Sequence, residues 1–162
     1  TLNPRSVLNL RLGAEQRFSQ VPSTGETSTY LGPFGQLELN YSLRPRTIVT
    51  LTARYGTTAA SQQGYTQDQQ FLSGLTFSHA FGRRLTGSLF FNYQNNLYDQ
   101  PDSTIPTYRT EVFNPGLNLN FIVNQVWSLN IGGSLFGLYS SDQNLRDDYS
   151  QNRFFLGTTF SF

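Results

Sequence analysis

The chain contains no cysteine, no methionine and no lysine, and only one histidine and one tryptophan. Without cysteine there are no disulfides and no thiol chemistry. Without methionine there is no initiator residue, so Thr1 reads as a processed or engineered start, and a signal peptide is expected outside these residues. No apolar run approaches the roughly 18 residues that a membrane helix needs, which excludes a helical membrane protein. All eleven cations are arginine, set against ten acids for a net charge of +1. No basic stripe is interleaved with aromatics, and nucleic-acid binding is set aside.

What the chain does have is aromatic: 15% Phe, Tyr and Trp at a mean hydropathy of -0.38, so large rings stand among many polar residues. Its 162 residues fit a single domain, 1–162. The rings follow a period of two, the signature of strands. Strands are expected over 6–18, 34–43, 47–55, 70–81, 85–94, 112–122, 127–139 and 152–162. In the first, Leu8, Leu10 and Leu12 oppose Asn9, Arg11 and Gly13; in the fourth, Phe71, Leu75 and Phe77 oppose Gly74, Thr76 and Ser78. Short turns at 44–46, 82–84 and 123–125 alternate with polar loops at 19–29, 56–68, 95–107 and 140–151. Pro115 removes a ladder donor inside the sixth strand and is expected to mark a bulge.

The last strand is the most specific stretch. It ends on Phe162, with Phe160 two residues earlier and Gly157 five residues earlier. Together these resemble the carboxy-terminal insertion signal of bacterial outer-membrane β-barrel proteins, although Phe155 departs from the polar residue usual at its place. The resemblance implies an all-β fold, an antiparallel eight-stranded transmembrane β-barrel in up-and-down meander order, in the outer membrane of a Gram-negative cell. It also implies periplasmic turns, outward loops, insertion by the barrel-assembly machinery, and contact with outer-membrane lipids and lipopolysaccharide.

Placement along the strands agrees with that expectation. Tyr55, Phe71, Tyr93, Phe113, Tyr139 and Phe154 fall near the loop ends. Tyr41, Phe81, Phe121, Trp127 and Phe160 fall near the turn ends, with Leu10, Leu51, Leu75, Leu117 and Leu129 between them. Two aromatic girdles around an aliphatic belt are what two membrane interfaces select. A soluble barrel with the apolar face inward fails on volume, because eight strands enclose room for side chains or one small ligand only.

An inward polar face carries Arg11, Glu15, Arg17, Glu38, Arg54 and Arg153. Charges in a narrow interior are costly alone, so a network of arginines on Glu15 and Glu38 is expected, with Arg153 brought beside the first strand by closure. Such a network is either a gate or, the preferred reading, a plug. His79 lies on the lipid-facing parity at the turn end, where it reads as an interfacial filler rather than a base. Glu26, Asp68, Asp99, Asp102, Asp142, Asp147 and Asp148 collect on the loop side and read as solvated. No nucleophile elbow or metal-ligand cluster organises the polar residues. A non-enzyme without metal or cofactor is expected, with a monomer favoured.

Pro4-Arg5-Ser6-Val7-Leu8-Asn9-Leu10 matches Pro45-Arg46-Thr47-Ile48-Val49-Thr50-Leu51 position by position, so the chain reads as hairpin units of roughly forty residues. Either the barrel is complete, similar to the small OmpA/OmpX-type proteins, or these strands are the carboxy-terminal part of a larger porin-like barrel. The first gives a structural or surface-binding role with a plugged lumen; the second gives a channel for small solutes. Replacing Glu38 with Ala raises single-channel conductance if the charge network gates the lumen. Conductance that stays unmeasurable leaves the network a structural role.

Overall fold

The computed structural model describes residues 5–20, 27–59, 67–99, 108–141 and 148–160. Their strands are β1 (Ser6–Gln20), β2 (Thr27–Arg44), β3 (Thr47–Ala59), β4 (Gln67–Ala80), β5 (Leu85–Asp99), β6 (Tyr108–Ile122), β7 (Trp127–Ser140) and β8 (Tyr149–Phe160). They form one eight-stranded antiparallel sheet in sequence order. The all-β meander is thus the fold of this chain.

Alternation along each strand is useful only if neighbouring strands keep the same faces, because a slip of one residue turns a whole strand over. All seven ladders keep them. Successive partners make an apolar row of Leu8, Leu39, Leu51, Leu75, Phe91 and Pro115. One residue along, a polar row runs through Asn9, Glu38, Thr52, Gly74, Asn92 and Asn114. A cleft lined by polar-face side chains from β2 to β7 shows that the sheet curls toward that face. The apolar side chains lie on the outside and stay open: Leu10 is 57% exposed, Leu89 59% and Leu156 77%. Among the described residues no large side chain is fully buried, so this one-layer sheet has no core of the kind that a soluble domain packs.

The strands outrun their alternation at the loop end. Sequence patterning stops β3 at 55 and starts β4 at 70, whereas pairing continues to Ala59 opposite Gln67. Likewise β5 and β6 stay paired as far as Tyr98 opposite Tyr108. Backbone bonds carry the ladder, and polar neighbours support it there: Gln70 and Gln94 both donate to Asn96 Oδ1, at 3.2 and 3.0 Å, and Asn96 Nδ2 donates to Thr110. Stacked above them are Tyr98 and Tyr108, with ring centroids 4.4 Å apart.

Two local expectations change. The bulge falls in β2, between Ser42 and Arg44 beside the Pro45–Arg46 turn. At Pro115 the β6–β7 register is the same on both sides, and pairing is merely missing between Phe113–Gly137 and Gly116–Ser134. A missing N–H therefore costs bonds here without inserting a residue.

Large rings also appear on the polar face, three of them opposite a glycine. Phe34 lies over Gly13, Phe90 over Gly116 and Phe155 over Gly132, each ring filling the space that a Cβ would need. At Gly116 and Gly132 a Cβ would also come 2.8 Å from the Gly133 carbonyl oxygen and 2.7 Å from that of Leu117. Backbone cannot yield as a side chain can. Gly132→Ala is therefore expected to destabilise the folded protein by about 1–3 kcal/mol. Gly82→Ala, in a turn with nothing within 4 Å of the added carbon, should stay within about 0.5 kcal/mol of the parent. Urea unfolding of both variants checks the contrast.

Candidate functional site

The concave face is the surface on which chemistry could be organised. Two adjacent rows of it define a cleft of about 430 Å³. The first runs Gln36, Arg54, Leu72, Gln94 and Val112 across β2 to β6, and the second Thr52, Gly74, Asn92 and Asn114 across β3 to β6, with Phe136 contributed by β7. At Gly74 the flanking side chains close over the backbone: a Cβ there would stand 2.8 Å from Thr52 Oγ1 and 3.0 Å from Asn92 Oδ1. The Oδ1 atoms of Asn114 and Asn118 are buried without a hydrogen-bond partner among the described residues.

Two further hollows continue the cleft toward β1. One, of about 410 Å³, is lined by Arg11, Glu15, Gln36, Arg54 and Gln70 among others. The other, of about 450 Å³, includes Asn9, Arg11, Gln36 and Glu38. Gln36 borders all three.

Residues of the expected charge network are thus gathered in part along these hollows. Glu38 stands opposite Thr52, two residues from the Gln36–Arg54 pair. Its carboxylate accepts a hydrogen bond from Asn40 Nδ2 at 2.7 Å, and Asn40 Oδ1 accepts one from Thr50 at 2.8 Å. Among the described residues, neither Arg11 nor Arg54 forms an ion pair with a carboxylate, and the Arg17 side chain lies outside them. Arg153, on β8, stands opposite Ser134 and is not beside β1, because β1 and β8 share no contact. Amides and hydroxyls therefore do most of the bonding on this face.

On the outward face the aromatics form rows. Near the loop end Phe71, Tyr93, Phe113 and Tyr139 touch in sequence, with centroids 6.3, 5.0 and 5.9 Å apart. Their phenols reach the polar layer next to the loops: Tyr55 donates to Gln69 at 3.1 Å and Tyr93 to Glu111 at 3.2 Å. Glu111 also accepts from Asn95 and lies 3.8 Å from Arg109. Patterning missed this cluster, because 95–107 read as loop. The signal was nevertheless present, since Tyr93, Asn95, Arg109 and Glu111 share one parity.

At the turn end Trp127 stacks on Phe160 at 5.9 Å and 6°, and the Trp127 indole donates to Thr158. Tyr41 and Phe121 share that side of the outward face, opposite Val49 and Leu129. Phe154 instead sits in mid-strand against Gly133, since β8 begins at Tyr149.

His79 shares a 2.8 Å hydrogen bond with Thr47 Oγ1 and meets Phe81 edge-on at 4.8 Å. It is a packed outward residue with no carboxylate at hand. Among the described residues no group of three His, Asp or Glu is placed to hold a metal ion. The loop acids Glu26, Asp102, Asp142 and Asp147 lie outside the described residues, as does Phe162 of the terminal motif. Gly157 stands opposite Asn130, and Phe160 opposite Trp127.

Comparison with protein-family models, with curated proteins and with solved structures gave no match.

A double-mutant cycle on Tyr93→Phe and Glu111→Gln measures what ties the aromatic row to the polar layer. A coupling of about 0.5–1.5 kcal/mol in urea unfolding is the expected result for a made hydrogen bond.

Proposed function

We propose that this chain is wall in a transmembrane β-barrel of the bacterial outer membrane, one with more than eight strands around a polar, porin-like lumen. The observation that carries this reading is the pair of free edges. Every ladder from β1 to β8 is formed, yet among the described residues β1 and β8 each have a single partner and no contact joins them. A free strand edge is a row of unpaired N–H and C=O groups, which hydrocarbon does not tolerate. Further strands, from whichever polypeptide, must cover those edges for the sheet to span a bilayer.

The faces support the same reading. Apolar side chains lie outward and aromatics gather toward the strand ends, with two phenols bonded to the polar layer, as a bilayer and its two interfaces favour. The concave face holds hollows lined in part by Arg11, Gln36 and Arg54. A wider barrel would leave that face wetted and able to pass small solutes. Contact with membrane lipid follows from the outward face. No catalytic role is proposed.

The alternative is a closed eight-stranded barrel with a plugged lumen and a surface-binding role. Spin labels at Leu10→Cys and Leu156→Cys, read by electron resonance in lipid vesicles, separate the two, since adjacent strands lie only about 5 Å apart. A separation of many strand widths, with stepped currents across a planar bilayer, is expected. A neighbour-strand distance with no current in folded protein would install the plugged barrel instead.

A further inference from the structure

Charge in this sheet is sorted from end to end as well as from face to face. We infer that the turn-end mouth of the concave face is a collar that collects soluble multivalent anions of the phosphate class. This rests on the porin-like reading, which brings solute to that mouth.

The collar is built by repetition. Arg5, Arg46 and Arg84 stand immediately before β1, β3 and β5. Each carbonyl accepts the last backbone bond at the turn end of its ladder, from Ser42 at 2.7 Å, Ala80 at 2.9 Å and Ile122 at 2.8 Å. The three backbones are thereby held at equivalent places two strands apart, a pitch of about 10 Å at ordinary strand spacing. They lie one residue beyond the outward pairs Ser6–Tyr41, Thr47–His79 and Leu85–Phe121, which gives them the parity of the concave face. Val126 holds the equivalent place before β7, so turn chemistry does not demand a cation there. Arg44 and Arg83 join from the adjoining turns, and all five arginines are exposed.

What selects the ligand is sign. Along β1 to β6 the first carboxylate met from the turn end is Glu38, to which Asn40 donates at 2.7 Å. Asp68, Asp99 and Glu111 lie toward the other end. Farther in, Arg11 and Arg54 share their hollows with Glu15 or Glu38, so the positive excess is greatest at the mouth. Cations around a low-dielectric mouth focus the field and concentrate counter-ions. A guanidinium fork matches phosphate oxygens in pairs, and rings of arginine suit anion and phosphate pores. Headgroups of surrounding lipid would lie against the outward face, so the concave parity of Arg5, Arg46 and Arg84 favours solute.

Calorimetric titration of the refolded 162-residue chain with inorganic tripolyphosphate, in neutral detergent, tests this. Strand-type circular dichroism and the gel shift on heating establish that each sample is folded. Binding is expected, and it weakens as sodium chloride is raised, because salt screens exposed charges. Arg5→Gln, Arg46→Gln and Arg84→Gln together should weaken it about tenfold, since three exposed pairs are lost. Where that triple variant does not fold, each single substitution still costs about twofold. A matched control, Arg17→Gln with Arg109→Gln and Arg146→Gln, removes the same charge from the loop side and keeps binding. No binding by folded parent protein overturns the inference, as does an equal loss in the loop-side control. It falls too if the collar variant binds tripolyphosphate like the parent but loses a preference for spin-labelled phosphatidylglycerol, which would assign these arginines to lipid headgroups. Tripolyphosphate binding by a chain that never conducts would sink the porin reading and leave the collar standing; steady currents without anion binding would sink the collar alone.

Discussion

A strand shows its side chains to alternate sides, so a sheet keeps one greasy face only if each ladder pairs like with like. Everything else in this structure depends on that condition holding seven times in succession. The β2 bulge between Ser42 and Arg44 lies at the very end of a ladder, where it disturbs nothing downstream. At Pro115 the pairing lapses for two residues and resumes in the same register. A single slip at either place would have sent Leu117 and Ile131 to the concave side and Asn118 and Asn130 to the outside. The apolar band, the aromatic rows and the amide-rich cleft all follow from the same parity.

That parity also sets where stability must come from. A single curled layer buries little of itself, and the large side chains on its outer face remain open. Apolar surroundings on that side, rather than an internal core, would have to remove this surface from water. On the concave side, three Phe rings lie over a glycine of the opposite strand, at Gly13, Gly116 and Gly132. Glycine there is a packing requirement imposed from the neighbouring strand. It is not a matter of turns.

Much of the fold was legible because the period-of-two signal is strong wherever one face meets an apolar environment. Strand number, order and facing could be read from Leu8, Leu39, Leu51 and their counterparts without coordinates. Strand ends could not. Beyond Tyr55 or Tyr93 both faces are polar, alternation loses contrast, and only backbone pairing continues, as Ala59 with Gln67 shows. The cleft was half legible: Arg54 and Gly74 were placed on the polar face, and Thr52, Asn92 and Asn114 fall on that parity of their own strands. Which of them share one hollow, however, depends on register between strands. The Phe90–Gly116 and Phe155–Gly132 pairs were hidden for the same reason. Charge was legible as placement. Opposite signs on one face suggested a network; the register does set Glu38 diagonal to Arg54, and Glu38 also accepts from Asn40 on its own strand.

Each strand touches only the strands before and after it in the sequence, and this has a consequence for how such a chain can change over generations. Among the described residues no backbone contact binds the first hairpin to the last, so a hairpin can be duplicated or lost with only its flanking ladders to be remade. The new member needs only to keep the facing of its neighbours. Sheet width thereby becomes a countable trait, adjustable in increments of two strands, and the matching Pro-Arg openings at residues 4 and 45 are of the kind that such copying would leave.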